Sequence, residues 1–257
     1  MRNTDSGDRL SQLLDDLRAA FALLSRLPLP PPRHFATPPA VWAWPLAGLG
    51  MGALSTAAAL LALVVGLGPG LAAALALACA ALTTGAMHED GLADTADGLW
   101  GGWEKARRLE IMKDSHIGTY GVMALLLTTL ARWSAVAALL AAGHWPVLLA
   151  IAALSRAPMA VLLALLPNAR GQGLSHSVGR PTARAAALSC AVALIGAGLC
   201  TGTVALPMAL AVAGSSLILA RVAVAKIGGQ TGDILGASQQ LAELAALATA
   251  TALLIPA

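Results

Sequence analysis

Residues 42–66 read WAWPLAGLGMGALSTAAALLALVVG, which is 25 consecutive residues without a charged side chain. Uncharged apolar runs of about 18 residues or more are typical of membrane-spanning helices. Similar runs recur along the chain, which is 58% hydrophobic and only 11% charged. Soluble domains carry roughly a quarter charged residues. The sequence therefore predicts an all-α fold, a polytopic integral membrane bundle of helices.

We expect about seven transmembrane helices, preceded by an N-terminal amphipathic helix at residues 9–27 whose leucines recur at helical spacing. Gly48 and Gly52 form a GxxxG pair, which lets a second helix pack closely against the first span. The predicted spans lie at 42–66, 71–87, 118–142, 147–166, 185–200, 207–225 and 241–255.

We interpret residues 1–257 as a single membrane-embedded transferase domain. Residues 1–41 form its N-terminal interfacial segment, and residues 88–117 form an acidic catalytic stretch. The predicted loops at 88–117, 167–184 and 226–240 carry Lys and Arg, whereas the loops on the opposite side carry none. This asymmetry favours a cytoplasmic position for the charged loops. The basic residues are neither run together nor interleaved with aromatic residues, so we expect no nucleic-acid partner.

The charge of this chain is concentrated at His88–Gly121, HEDGLADTADGLWGGWEKARRLEIMKDSHIGTYG, which holds seven of the 13 acidic residues. Asp90, Asp94 and Asp97 are spaced so that a helix would place all three on one face. Like charges on one face repel unless a cation lies between them, and Mg²⁺ prefers carboxylate and phosphate oxygens. His88 is as suited to be a base, or a hydrogen-bond partner of a metal ligand, as to bind the metal itself. The candidate metal ligands are Glu89, Asp90, Asp94, Asp97 and Asp114.

Cationic side chains follow the acids and suit phosphate oxygens. Carboxylates for a metal beside cations for phosphates are typical of phosphoryl transfer. We name Asp94, Asp97 and His88 as candidate catalytic residues, with Asp94 able to take a proton from the attacking hydroxyl. A plain solvated loop with paired charges is the alternative. The candidate phosphate or substrate ligands are Lys105, Arg107, Arg108, Lys113, Thr231 and Asp233.

Two arginines lie well inside predicted spans. Intramembrane charges are costly and are usually functional or paired. For Arg132 and Arg156, contact with a substrate phosphate and a buried ion pair are therefore both open interpretations.

Three blocks together resemble the cobalamin synthase family, the adenosylcobinamide-GDP ribazoletransferases. The first is HEDGLADTADGLWGG at 88–102 with RRLEIMKDSHIGTYG at 107–121. The second is GGQTGDILGA at 228–237, and the third, weaker block is LRAAFALLSRLPLP at 17–30. The resemblance covers nearly the whole chain.

This resemblance implies a Mg²⁺-dependent enzyme of the bacterial inner membrane that assembles the nucleotide loop of vitamin B12. The ribose 3′-hydroxyl of α-ribazole, or of its 5′-phosphate, attacks the cobinamide-side phosphorus of adenosylcobinamide-GDP. GMP leaves, and adenosylcobalamin or its 5′-phosphate forms. The implied partners are these small molecules and the lipid bilayer. A homo-oligomer, or association with other enzymes of the cobalamin pathway, is possible.

Two rival functions are considered. Asp94, Asp97 and Gly98 match the opening of the CDP-alcohol phosphotransferase signature, but Gly101 and Gly102 stand where that family has Ala-Arg. A transporter of divalent cations or corrinoids would more often hold its carboxylates near the membrane midplane on broken helices.

Overall fold

The computed structural model describes residues 4–255. These residues form helices and loops with no strand, and two segments meet in a single bridge between Asn168 and Gln230. The all-α fold is therefore confirmed. The helices are α1 (Thr4–Leu24), α2 (Trp44–Val64), α3 (Pro69–Thr84), α4 (Met87–Gly101), α5 (Lys105–Ile111), α6 (Thr119–Ala141), α7 (Pro146–Leu154), α8 (Ala157–Leu165), α9 (Leu174–Ser177), α10 (Ala183–Thr201), α11 (Ala205–Ile227) and α12 (Gly232–Leu254).

By length and composition, four helical stretches of the described residues could cross a membrane: Val41–Val64, Thr119–Ala141, Pro146–Leu165 and Ala183–Ile227. The pair α3 and α4 would make a fifth, although the two helices are bent by 88°. Each of the seven predicted spans corresponds to a helix or a pair of helices in the structure. The last predicted span lies in α12, which does not qualify as a membrane span by this measure because its first half is polar. The count of seven spans stays a prediction.

The longest of these stretches is two helices rather than one. It covers 45 residues, Ala183–Ile227, and turns back at Gly202, whose φ of +59° suits a residue without a side chain. Arg180, just before α10, donates from Nε to a carbonyl at the end of α8 at 2.7 Å. Gln230, just after α11, accepts from the backbone N–H of Ala169 at 2.8 Å. The start of α10 and the end of α11 therefore both lie beside residues 164–169, as expected for two consecutive spans.

The predicted fourth span is broken in its middle. Helix α7 ends at Leu154 and α8 begins at Ala157, so the buried residues Ser155 and Arg156 lie at the break. Pro158 follows at the start of α8, where its missing N–H is tolerated.

The N-terminal helix is amphipathic, as predicted, but it begins at Thr4 and ends at Leu24 instead of running from 9 to 27. Leu10, Leu13 and Leu14 are exposed, whereas Leu24 is buried in the bundle. An exposed leucine stripe on such a helix suits the membrane surface.

The charged loops all meet at one end of the bundle, as the sequence predicts. The Lys226 ammonium at the end of α11 donates to the carbonyl of Leu99 in α4 at 2.7 Å. Arg108 in α5 donates to the carbonyl of Lys226 at 2.9 Å. Arg170 in the loop before α9 pairs with Asp233 in α12 at 2.7 Å.

Helix α2 packs closely on α7 through its GxxxG pair. A Cβ atom added at Gly48 would overlap the carbonyl oxygen of Ala152, and one added at Gly52 would overlap the Ala152 side chain. The close packing predicted from this motif is confirmed, because only glycine leaves room for the opposing backbone.

We predict that Gly48→Ala lowers the free energy of unfolding by about 1–3 kcal/mol, since the added methyl overpacks the α2–α7 contact. Gly214→Ala is the matched control, because a Cβ at Gly214 in α11 meets nothing within 4 Å. Thermal unfolding in detergent, followed by tryptophan fluorescence, measures both variants. Equal melting temperatures for the two would contradict the packing assigned to this contact.

Candidate active site

Helices α4 and α12 cross at a close backbone contact between two glycines. A Cβ at Gly91 would lie 2.9 Å from the carbonyl oxygen of Asp233, and one at Gly236 would lie 3.3 Å from the Cα of Gly91. The sharp bend between α3 and α4 turns α4 towards α12, and it passes through Gly85 and Ala86, which both have positive φ. The crossing brings two of the three sequence blocks together.

Three carboxylates gather beside this crossing. Burial and the negative charges of Asp233 and Asp90 raise the pKa of Asp94 in α4 to about 7, and the nearby Arg170 cation opposes this rise. Asp90 is exposed, and Asp94 and Asp233 are half-buried. Thr231 caps α12 and donates from its hydroxyl to Asp233 at 3.2 Å. The structure therefore joins Asp90 and Asp94 to Asp233, which the sequence analysis placed among the phosphate ligands.

Asp97 has a different environment from Asp90 and Asp94. It is buried, and its two oxygens accept from the backbone N–H groups of Gly118 at 2.7 Å and Gly121 at 2.9 Å. These groups are unpaired donors at the start of α6, where a negative charge is favourable. Asp97 therefore fastens α4 to α6, and its charge also acts on Asp94. The sharing of one metal-binding face by Asp90, Asp94 and Asp97 stays a prediction.

Glu89 points away from the three carboxylates and into the bundle. Its Oε1 atom accepts from Gln240 at 3.0 Å and from Arg132 at 3.4 Å. Arg132 also donates to Glu243 at 2.7 and 3.0 Å and to Gln240 at 2.7 Å. Arg156 lies 4.0 Å from the other oxygen of Glu243.

This buried network resolves the two interpretations left open for the intramembrane arginines. Arg132 and Arg156 form a buried ion group with Glu89 and Glu243, in which two positive charges face two negative ones. An intramembrane arginine is expected to have such a partner.

Asp114 lies outside the carboxylate group, on the exposed segment between α5 and α6. Its Oδ1 atom is 2.7 Å from His116 Nδ1 and accepts from the His116 backbone at 3.1 Å. These hydrogen bonds hold the pKa of Asp114 below its usual value, and the same pairing raises the pKa of His116. Asp114 is therefore paired with His116, its neighbour in sequence, and not with the other predicted metal ligands.

The four predicted cations are spread over the surface near α5. Arg107 pairs with Glu110 at 2.8 Å, and both side chains are exposed. Lys105 and Lys113 are exposed, and the Lys105 ammonium approaches Gly228 in the loop before α12. Arg108 binds the carbonyls of Gly102 and Lys226, so it holds α5 to its neighbours.

His88 is fully buried on the side of α4 away from Asp90 and Asp94. It lines a cavity between α1, α4, α8 and α12, and its Nε2 atom has no hydrogen-bond partner among the described residues. The structure does not bring His88 into the carboxylate group.

Sequence reasoning missed two contributors to this region. Arg170 was visible only as one basic residue of a polar loop, and its pairing with Asp233 depends on a contact between distant segments. Glu243 was hidden inside an apolar run, where a lone carboxylate could have signalled a buried partner.

The arrangement suits chemistry on a phosphate. Among the residues that the structure describes, no three His, Cys, Asp or Glu side chains lie close enough together to hold a metal ion alone. Magnesium commonly takes one or two protein carboxylates and completes its shell with phosphate and water. Asp94 and Asp233, flanked by Asp90, could supply such ligands.

Comparison with known proteins places the chain in a family. A family model described as cobalamin-5-phosphate synthase matches residues 16–251. The adenosylcobinamide-GDP ribazoletransferase of Bradyrhizobium diazoefficiens is 46% identical over 252 residues, covering 95% of this chain and 96% of the relative. Proteins of the same name from Azorhizobium caulinodans and Sinorhizobium medicae are 43% and 41% identical, each covering 93% of this chain and 96% of the relative.

No solved structure matches the chain. The family match spans nearly all of it and includes both segments that form the carboxylate group. The resemblance drawn from the three sequence blocks is confirmed, and the chain belongs to the cobalamin-5-phosphate synthase family.

Proposed function

We propose that this chain is an adenosylcobinamide-GDP ribazoletransferase that works in cobalamin biosynthesis. The observation that carries the proposal is similarity over almost the full length to relatives of that name. In the proposed reaction, the 3′-oxygen of α-ribazole or its 5′-phosphate forms a bond to the cobinamide-side phosphorus. The bond from that phosphorus to the GMP oxygen breaks, and GMP leaves with the electron pair.

The carboxylate group beside the α4–α12 crossing is the proposed centre of this reaction. Asp94 is the proposed base that takes the proton of the 3′-hydroxyl, because its burial and the charges of Asp233 and Asp90 raise its pKa to about 7. Arg170 orients Asp233 through their ion pair. Thr231 supports the same carboxylate from the cap of α12.

Mg²⁺ is the proposed cofactor, since the donor set is made of hard carboxylate oxygens next to a substrate that carries a pyrophosphate. Asp94 and Asp233 would hold it, and Asp90 would add negative charge nearby without being a third ligand. When bound, the ion neutralises negative charge on the phosphates. Glu89, Asp97 and Asp114 have other partners in this structure, so we assign them supporting roles outside the ion's ligand set.

The exposed cations near α5 are proposed to attract the pyrophosphate and the departing GMP. The side chains of Lys105 and Lys113 lie in solvent, where they can reach a ligand, and Arg107 is also exposed but is paired with Glu110. Arg108 is proposed to act indirectly, by holding the loop before α12 in place.

We further propose that the protein lies in the bacterial inner membrane with this end of the bundle in the cytoplasm. The basic loops gather at that end, as the positive-inside rule requires. Association with itself or with other enzymes of the pathway stays a prediction.

The reaction is tested with purified protein in nanodiscs, adenosylcobinamide-GDP, α-ribazole 5′-phosphate and Mg²⁺, by following GMP release. We expect release with Mg²⁺ and none with EDTA. Asp94→Asn should reduce the rate about 100-fold or more, since it removes both a base and a ligand. Glu104→Gln, an exposed change in the same charged stretch at a side chain that makes no cap hydrogen bond, is the control.

Absence of GMP release by folded wild-type protein would contradict the proposed reaction. In that case CDP-alcohols are the next donors to test, followed by cation flux. Full activity of Asp94→Asn would contradict the site assignment while leaving the reaction in place.

Asp97→Asn should behave differently from Asp94→Asn. Replacing the buried carboxylate weakens two charge-assisted hydrogen bonds to the start of α6, so the free energy of unfolding should fall by roughly 1–3 kcal/mol. Asp94→Asn should not lower it, because Asp94 has like charges around it. Thermal melts of both variants without substrate make the comparison, and an unchanged melting temperature for Asp97→Asn would contradict the capping role.

The orientation can be tested with single cysteines at positions 107 and 144 in a chain whose three native cysteines are replaced. A membrane-impermeant maleimide added to intact cells should label position 144 and not position 107. After cell lysis both positions should react. Labelling of position 107 from outside would overturn the proposed orientation.

A further inference from the structure

The cavity lined by His88 has walls of a distinctive chemistry. It measures about 60 Å³ and lies among Leu24, Trp44, Leu163, Leu235, Ser175 and His88. The walls are apolar apart from one imidazole and one hydroxyl. His88 is only 1% exposed, and its Nε2 atom lacks a partner among the described residues. Buried polar atoms without partners are rare, so a ligand with a hydrogen-bond acceptor would complete the contacts of this imidazole.

A second, larger cavity lies directly beside the first. It measures about 270 Å³ and shares the side chains of Leu23, Trp44, Leu174 and Val178 with its neighbour. Its outer part is more polar, with Asp16, Thr37 and Ser177 in the lining. It extends to Phe35, which is 65% exposed. The two cavities thus line a route from the surface of the bundle, between α1 and α9, to His88.

We propose that these adjoining cavities bind the aromatic base of the acceptor nucleoside, an inference that rests on the proposed function. The base of α-ribazole is a benzimidazole, a flat bicycle with methyl groups and one free ring nitrogen. Apolar walls and Trp44 match its faces and methyl groups. The Nε2–H tautomer of a neutral His88 donates to the ring nitrogen.

The same chemistry argues against the guanine of the donor substrate. Guanine has several donors and acceptors on its edges, and the inner cavity, with one imidazole and one hydroxyl, would leave most of them unpaired. The corrin ring of the donor is far larger than either cavity. The acceptor base is the part of the two substrates that fits.

The position of the cavities agrees with attack at the carboxylate group. Gly232 and Gly236 of α12 line the inner cavity, and Asp233 lies between them in sequence. Asn168 donates to Ser175 at 3.0 Å, so the loop that carries Arg170 also forms a wall of the cavity. A nucleoside with its base beside His88 would have to carry its ribose past this turn of α12 to reach Asp233 and Asp94.

The test is Leu174→Trp, studied in the full-length protein in nanodiscs. Leu174 lines both cavities and is 55% exposed, so a larger side chain is accommodated at the surface while it fills the route. Leu188→Trp on α10, at a position that is 52% exposed and outside both cavities, is the matched control. We expect Leu174→Trp to raise the KM for α-ribazole at least tenfold and to leave the KM for adenosylcobinamide-GDP unchanged. Leu188→Trp should leave both constants unchanged.

A binding measurement separates this inference from the proposed reaction. In equilibrium dialysis without donor, α-ribazole should bind wild type and Leu188→Trp equally and Leu174→Trp at least tenfold more weakly. Free 5,6-dimethylbenzimidazole should compete with α-ribazole, and GMP should not.

Unchanged binding and KM in Leu174→Trp would overturn the base site even when the enzyme is active. An equal rise in both KM values, or competition by GMP, would overturn it as well. Absence of turnover by wild type, with α-ribazole binding as expected, would instead contradict the proposed reaction alone.

Discussion

The structure depends on the ion network that Arg132 forms inside the bundle. An arginine in an apolar interior must have partners, because an isolated charge there is very costly. Arg132 finds them in Glu89 of α4 and in Gln240 and Glu243 of α12, so one side chain of α6 joins both helices that carry the proposed site. Removing one member of such a buried group leaves an uncompensated charge, which typically costs about 3–5 kcal/mol.

This attachment explains how like charges can gather a short distance away. Asp94 and Asp233 repel each other, and Arg170 lies nearby to offset part of their charge. The crossing of α4 and α12 nevertheless stays closed, since the Gly91–Gly236 contact allows close approach and the Arg132 network holds the helices on their inner sides. The fold thus keeps these two carboxylates close together despite their repulsion, and binding of a cation or a proton would relieve it.

At the polar end of the bundle, α4 makes three separate sets of contacts. Its inner side carries the ion network, its end is fastened to α6 by Asp97, and a third side faces the cavity at His88. This short helix therefore joins the ion network through Glu89, caps α6 through Asp97 and lines the cavity through His88. A single stretch of 15 residues can do this because successive side chains of a helix point in directions about 100° apart.

Much of this protein could be predicted from the sequence. Long uncharged runs can be stable only in a bilayer or a large core, so the helical membrane fold followed from composition, and the Gly48–Gly52 contact followed from spacing. The concentration of acids in residues 88–114 marked the helix that carries the site. The partner of each acid could not be read in the same way: Glu89 and Asp90 are neighbours in sequence, yet one is turned into the bundle and the other to solvent. The packing of α4 against α6 and α12 decided which carboxylates meet. Helical spacing sets the direction of a side chain relative to the axis of its own helix, and only tertiary contacts determine what lies in that direction.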